Sequence, residues 1–301
     1  MIYKYRTKSD ELIVFEILDK RSDLQGKDKQ YFLNLLKGYE GEVLFDSLTE
    51  QLQSDCLVLN DLLLEVNNTI FQIDSLILID GKINTYEVKY LEGDYLYESN
   101  KLFKKPRLEV INPILQLSRS ESLLNQLLRN HGCQLPIDAT VVFNHPTFTL
   151  YQAPLHLQAL LPTQINNHMK TLDSIPSKIN EKQKKIAELL VSLHITKSPF
   201  TKVPSYRYEE LRKGITCEMC DSFDVVTEGR TCLCRECGHR ESVSSAVLRS
   251  VKEYQMLFPE GKITTNLVYD WCGGIHPKRS IRRILSTNFM NVGVNQWTYY
   301  V

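Results

Sequence analysis

The 301 residues carry 36 basic and 36 acidic side chains, so the net charge is zero; 43% of residues are hydrophobic and 24% charged. That balance suits a soluble globular protein of two or three domains and excludes a chain that coats nucleic acid indiscriminately, while leaving room for a local basic site. No apolar run approaches the roughly 20 residues of a membrane helix, and the opening Met-Ile-Tyr-Lys-Tyr-Arg lacks a signal peptide's apolar stretch. A cytoplasmic location and no membrane partner are expected.

Residues 1–27 read as an N-terminal extension, a short helix or extended segment ending near Gln25-Gly26. Over 28–53, Phe32, Leu35, Leu36, Val43, Leu44 and Leu48 recur at helical spacing, with Gly38 and Gly41 marking either a break or a close packing approach. Alternating runs at 56–59, 62–66, 69–79 and 82–90 predict a meander of strands. Helical spacing returns over 112–130 after Asn112-Pro113; 139–143 reads as a buried strand and 155–161 as a further candidate. Residues 176–195 predict an amphipathic helix with Ile179, Ile186, Leu189, Leu190 and Leu193 along one face, and 197–204 a linker. The expected organisation is an extension at 1–27, a domain at 28–172, a helical linker at 173–204, a cysteine-rich segment at 205–243 and a small domain at 244–301.

The dipeptide Asp80-Gly81 is a strong two-residue hairpin signal. Taken literally, it sets Ile79 opposite Lys82, Asp74 opposite Glu87 and Gln72 opposite Lys89. Side chains alternate with period two, so Gln72, Asp74, Glu87 and Lys89 are expected on one face as a compact square. Directly opposed carboxylates about 5 Å apart repel one another, and a cation is the economical remedy. Hard oxygen ligands suit Mg²⁺ or Mn²⁺. Such a metal polarises a phosphate and acidifies water, while Lys89 stabilises developing charge; Glu42 on the preceding helix is a further candidate ligand. A solvated strand face closed by a surface ion pair stands against this as an equal alternative.

Four segments resemble the nuclease-related domain, NERD, a branch of the PD-(D/E)XK nuclease fold. They are Gly38-Tyr-Glu-Gly41-Glu42, Leu59-Asn-Asp-Leu-Leu63, Gln72-Ile-Asp74 with Glu87-Val-Lys89, and Asn112-Pro-Ile-Leu-Gln116, in the family's order over roughly 28–145. The resemblance implies an α/β, restriction-endonuclease-like mixed sheet flanked by helices. It also implies a catalytic set of Glu42, Asp74, Glu87 and Lys89 supported by Gln116, with Asp74 and Glu87 on the metal. Tyr90 departs from the pattern, standing where many members carry a small polar residue. Lys101, Lys104, Lys105 and Arg107 follow the hairpin and are either phosphate contacts or a solvated loop.

Cys217-Glu-Met-Cys220 and Cys234-Arg-Glu-Cys237 form a paired CxxC whose spacing suits a tetrahedral Zn²⁺ in a zinc ribbon. Four thiolates leave no open coordination position, so the expected zinc is structural; Cys232 and His239 read as bystanders. Beyond the ribbon, helices are expected at 244–258, at 265–271 and from Pro277 to Leu285, then a hairpin over 289–301 around Gly293. That order is the plan of a winged helix, and its third helix carries Lys278, Arg279, Arg282 and Arg283 with no acid.

The leading expectation is therefore an Mg²⁺- or Mn²⁺-dependent nuclease acting on nucleic acid, DNA ahead of RNA. The competing one is a DNA-binding regulator on a catalytically quiet nuclease scaffold, and self-association into a homo-oligomer is compatible with both.

Overall fold

The computed structural model describes residues 1–293 and 298–301. The chain divides into two compact units, one of residues 1–8 and 33–200, the other of residues 9–32 and 201–301.

In the first unit, β1 (Ile2–Lys4) precedes the part of α2 (Gly26–Thr49) beyond residue 32; α1 (Asp10–Ser22) belongs to the second unit. There follow β2 (Leu57–Val66), β3 (Thr69–Ile79), β4 (Lys82–Lys89), β5 (Asp94–Glu98), β6 (Lys101–Lys104), β7 (Leu108–Val110), α3 (Pro113–Asn130), β8 (Ile137–Phe143), β9 (Thr149–Tyr151), β10 (Ala159–Leu160), α4 (Pro162–Asp173) and α5 (Glu181–Ser192). Six strands form one mixed sheet in the order β1-β2-β3-β4-β8-β10. The β2–β3–β4 meander is antiparallel, and β1, β8 and β10 add to it in parallel.

Both faces of this sheet are covered, so its strands bury side chains on both sides and not only on the one face that the expected alternation implies. On one face Leu57, Leu59, Leu76 and Leu78 pack with Leu124, Leu127 and Leu128 of α3 and Ile186, Ala187 and Leu190 of α5. On the other, Val58, Ile77, Ile79, Tyr86 and Val88 pack with Phe45 of α2 and Ile165, Met169 and Leu172 of α4. Residues 173–204, expected as a helical linker, thus pack the amphipathic helix expected at 176–195 into the core. Their apolar stripe needs a partner surface, and the sheet provides it.

The strands at 56–59 and 62–66 are one strand, and it does not alternate strictly. Odd residues Leu57 and Leu59 face α3, and then even residues Leu62, Leu64 and Val66 do; β3 makes the matching change between Ile73 and Leu76. The change falls where Asp61, at φ +55°, interrupts the pleat. No break appears in α2 at Gly38 or Gly41.

A second sheet, β7-β6-β5-β9, was not expected from the sequence. Its strands have three to five residues and are half exposed, too short for a clear alternation. Tyr95, Leu102 and Phe148 seat it on Leu117 of α3 and Val141 and Phe143 of β8. Helix α4 was also missed. The candidate strand at 155–161 contracts to β10, and Pro162 then stands in the first turn of the helix, where its fixed φ and missing N–H are tolerated.

The second unit contains α1, the start of α2, β11 (Val225–Glu228), β12 (Thr231–Cys234), β13 (Arg240–Ser242), α6 (Val243–Leu257), α7 (Thr265–Trp271), α8 (Lys278–Asn288), β14 (Asn291–Val292) and β15 (Tyr299–Tyr300). Strands β11 to β13 form an antiparallel sheet. One core joins Cys217, Val225, Cys232 and Cys234 of the cysteine-rich segment to Val247, Val251, Val268, Ile281 and Leu285 of the helices. The boundary expected at 243/244 is therefore not a boundary between cores. Residues 1–27, expected as an extension, are shared out: β1 pairs with β2, while α1 packs with the C-terminal helices, its buried Arg21 donating to Glu253 at 2.6 Å and lying 4.1 Å from the Trp271 ring. Strands β14 and β15 pair antiparallel, and Ile263 bridges to Tyr300. The middle of the expected terminal hairpin, residues 294–297, lies outside the described residues. Among the described residues no helix is long and apolar enough to cross a membrane.

Candidate active site and cysteine centre

The Asp80-Gly81 turn sets the register foreseen: Ile79 faces Lys82 and the ladder runs to Ser75 opposite Tyr86. There it ends. The N–H of Val88, one residue past Glu87, donates to the Asp74 carboxylate Oδ2 at 2.8 Å. Asp74 thus sits where the two strands part, holding a main-chain donor that would otherwise be orphaned. The expected square loses one corner. Gln72 is exposed, and its amide donates to Asp61 Oδ1 at 3.2 Å. With the ladder closed at Ser75, nothing constrains Gln72 to lie opposite Lys89.

Asp74 and Glu87 are buried, at 6% and 3% exposure. Lys89 Nζ donates to Glu87 Oε1 at 2.6 Å. The Gln116 side chain also hydrogen-bonds Glu87. The segment Asn112-Pro-Ile-Leu-Gln explains how it gets there. Asn112 caps α3 by accepting from the Ile114 N–H at 3.1 Å, Pro113 occupies the first turn, and Gln116 follows one turn later on the side of Glu87.

Glu42 comes from α2, and its partner is a residue that the sequence reading missed. Arg6, just past β1, has a side chain only 3% exposed. Its guanidinium donates to Glu42 Oε2 at 2.6 Å, to both carboxylate oxygens of Asp46 at 2.8 and 3.1 Å, and to the main-chain oxygen of Asp74 at 2.7 Å. The sequence offers for this role a lone arginine four residues before α1, which is too common a feature to single out. Lys4 secures the same edge by donating to the main-chain oxygens of Asn60 and Asp61 at 2.8 Å.

Gly41, beside Glu42, is the close approach. A Cβ there would stand 2.4 Å from Cβ of Tyr90, so the glycine is required by the Cβ at position 90 as well as by the ring beyond it. Gly38 has open space around it. Asn144, at the end of β8, donates to the main-chain oxygen of Gly41 at 2.6 Å and ties α2 to the sheet.

These carboxyls hold their protons tightly. Burial, reinforced by the Asp74 charge, pushes Glu42 up to about 8 even with Arg6 opposing. Burial and Asp74 likewise push Glu87 up to about 7, against the pull of Lys89. Asp74 is raised by burial, which outweighs Lys89 and the Val88 N–H. Burial acts to lower Lys89, but Glu87 and Asp74 together outweigh it and keep the ammonium charged. Buried carboxyls that are each reluctant to ionise alone suit a divalent cation that would let Asp74 and Glu87 ionise together, although among the described residues no three carboxylates bring ligand atoms within 4.8 Å of one another.

Of the cations expected to meet phosphate, Lys101 pairs with Glu109 at 3.0 Å, Lys105 with Asp94 at 3.9 Å and Arg107 with Glu98 at 3.2 Å. Lys104 lies 5.9 Å from the Tyr95 ring centre. The second sheet thus balances most of its own positive charge. On α8, Lys278 donates to Asn266 at 2.8 Å, while Arg279, Arg282 and Arg283 are exposed without an acidic partner among the described residues.

In the second unit, Cys217, Cys220, Cys234 and Cys237 bring one ligand atom each within 4.8 Å of the others. The Sγ atoms of Cys217 and Cys237 are 3.5 Å apart and those of Cys220 and Cys234 3.6 Å. Zinc–sulfur bonds of about 2.3 Å in a tetrahedron require about 3.8 Å, so the four can bind zinc with little adjustment. The N–H groups of Cys237 and Glu236 lower the Cys234 thiol to about 7, and Met219 N–H lies 3.4 Å from the Cys217 sulfur. Gly238, at φ +75°, turns the chain after the second pair, and Asp221, at φ +57°, does so after the first. Cys232 is buried in the core apart from this cluster, and His239 faces Glu218.

The model of the nuclease-related domain, NERD, matches residues 37–144. That span contains Glu42, Asp74, Glu87, Lys89, Gln116 and Asn144, and leaves out Arg6 and the cysteine cluster. No curated protein and no solved structure matches the chain. The mixed sheet with its flanking helices is thus a PD-(D/E)XK-like fold, and the chain carries a NERD, or nuclease-related, domain at residues 37–144.

Proposed function

We propose that this protein is a divalent-metal-dependent nuclease that hydrolyses phosphodiester bonds of DNA. The observation that carries the reading is the convergence of Asp74, Glu87, Lys89 and Glu42 where β3 and β4 part, with Gln116 on Glu87 and Arg6 on Glu42. Asp74 and Glu87 would hold Mg²⁺ or Mn²⁺. Such a cation, when bound, neutralises phosphate charge and acidifies water. The chain's own residues do the rest. Lys89 places a positive charge where negative charge develops on the phosphate as water forms one P–O bond and another breaks. Gln116 fixes the Glu87 carboxylate, and Arg6 fixes Glu42, so neither must be reorganised during the reaction.

Zinc on the four cysteines is proposed as structural, since a fully thiolate-ligated ion has no open position. The order α6, Ile263, α7, α8, β14, β15 supports a winged-helix reading. Its third helix offers the unneutralised Arg279, Arg282 and Arg283 to DNA.

The test is cleavage of linear, circular and single-stranded DNA with Mg²⁺ or Mn²⁺, comparing wild type with Asp74→Ala and Lys89→Ala. Metal-dependent cutting lost in both variants supports the nuclease. If all three proteins are equally inert and still bind DNA, the regulator on a quiet scaffold replaces it.

A further inference from the structure

A groove of about 510 Å³ lies between α3 and the second sheet and reaches Gln116; it is lined by Lys101, Glu109, Ile111, Leu115, Gln116 and Arg119 among others. Its volume falls in the range of small-ligand sites. Its wall composition is unusual for a surface. Ile111 and Leu115 are 86% and 65% exposed, large apolar side chains left in water beside two cations. Arg119 is exposed with no acidic partner among the described residues. It stands three residues after Gln116 on α3, so the two share a helix face. Among the described residues Lys101 is held by the solvent-exposed pair with Glu109, which a phosphate can displace at little cost.

The groove is built, not incidental. Asn112, 7% exposed, caps α3 with its side-chain oxygen and uses its amide to donate to the Asn100 main-chain oxygen at 2.8 Å, which pins the β5–β6 turn against the start of the helix. One buried side chain therefore sets both walls. Gln116 belongs to the groove and to the acid site at once, because it lines the first and hydrogen-bonds Glu87 in the second.

We infer that this groove takes one unpaired nucleotide of the substrate strand next to the phosphate that is cut, its base against Ile111 and Leu115 and its phosphate on Arg119 and Lys101. The inference rests on the nuclease reading of the neighbouring acids and adds the form of the substrate to it. An apolar wall beside cations matches a nucleotide, which is an apolar base face joined to an anion. A base still paired and stacked in a duplex cannot present that face, so strand ends, flaps and single strands are the substrates this groove selects.

The test uses the full chain in Ca²⁺ or EDTA, where binding is read without cleavage, and a DNA oligonucleotide bearing a diazirine on one unpaired base. The cross-link is expected at residues 111–119. Separately, in Mg²⁺ or Mn²⁺, Arg119→Ala and Leu115→Ser, both exposed and safe for folding, are expected to lower cutting beside an unpaired nucleotide by about tenfold while leaving that of continuous duplex unchanged. Arg119→Ala should also flatten the slope of log binding against log salt for a single strand by about 0.7. Wild-type cleavage that both variants retain on every substrate, with the cross-link elsewhere, overturns the groove and leaves the nuclease reading intact. A cross-link at 111–119 in a protein that cuts nothing upholds the groove while the nuclease reading fails. A Leu115→Ser variant whose sedimentation shows a lost dimer, with no change in cutting, assigns the apolar wall to self-association and overturns the proposal.

Discussion

Raising the pH on the metal-free protein is the most direct probe of the acid site. Glu87 and Glu42 both sit above their ordinary value of 4.5, near 7 and near 8. A group whose folded value is raised stabilises the fold fully below its unfolded value and loses that contribution as pH rises through the folded one. The window is therefore pH 4.5 to about 8, with stability falling throughout. For Glu87 the displacement corresponds to about 3 kcal/mol at about 1.4 kcal/mol per pH unit, and Glu42 adds to this less than its own displacement suggests, because each ionisation opposes the next. A divalent cation needs the ionised forms, so its binding at pH 6 should expel protons from the raised carboxyls, Asp74 among them. At pH 9 it should expel fewer, and affinity should rise over the interval. Calorimetry of Mn²⁺ binding in buffers of different ionisation enthalpy counts those protons, and urea titrations with EDTA or Mn²⁺ at pH 5, 7 and 9 give the stability difference. Mn²⁺ binding that is independent of pH between 6 and 9, with no proton released, would refute the reasoning and leave Asp74, Glu87 and Glu42 as a protonated structural cluster.

Further outcomes follow from single contacts. Arg6→Ala leaves Glu42 and Asp46 without their shared cation and should cost about 3–5 kcal/mol in urea unfolding, with Arg6→Lys recovering only part because a lysine cannot grip Asp46 through two nitrogens. Gly41→Ala should destabilise by about 1–3 kcal/mol; Tyr90→Ala in the same chain should restore little, because alanine keeps the Cβ that makes the closest contact, whereas Tyr90→Gly should restore more. Chelation of bound zinc, or Cys217→Ser, should loosen the core that joins Cys217 and Cys234 to α6–α8, seen as a red shift of emission from the fully buried Trp271. A double charge reversal, Arg282→Glu with Arg283→Glu, should weaken duplex binding and flatten its salt dependence by about two phosphate contacts without altering urea stability.

Local chemistry was legible because it acts over a few residues. Asp80-Gly81 alone determined the β3–β4 register as far as Ser75 and Tyr86. The paired CxxC spacing determined the cysteine cluster, the apolar periods located α3 and α5, and capping and proline or glycine stop signals located α6, α7 and α8. The order of the glycine, Asp, Glu-x-Lys and Asn-Pro motifs carried the family resemblance. What the sequence left open was every relation that depends on where distant segments meet. Arg6 lies 36 residues from Glu42 and 68 from Asp74, and only the addition of β1 alongside β2 brings the three together. Gln72 left the expected square because strand alternation gives a face only while the ladder lasts, and the side chain of Asp74 ends the ladder by taking a main-chain donor itself. The segment at 173–204 has the polarity of a linker with one apolar stripe, and whether that stripe stays in water depends on the sheet available to it. Periodicity along a chain says which side of an element is apolar; which surface receives that side is decided by the tertiary structure, because burial is a property of two surfaces and the sequence pattern describes one.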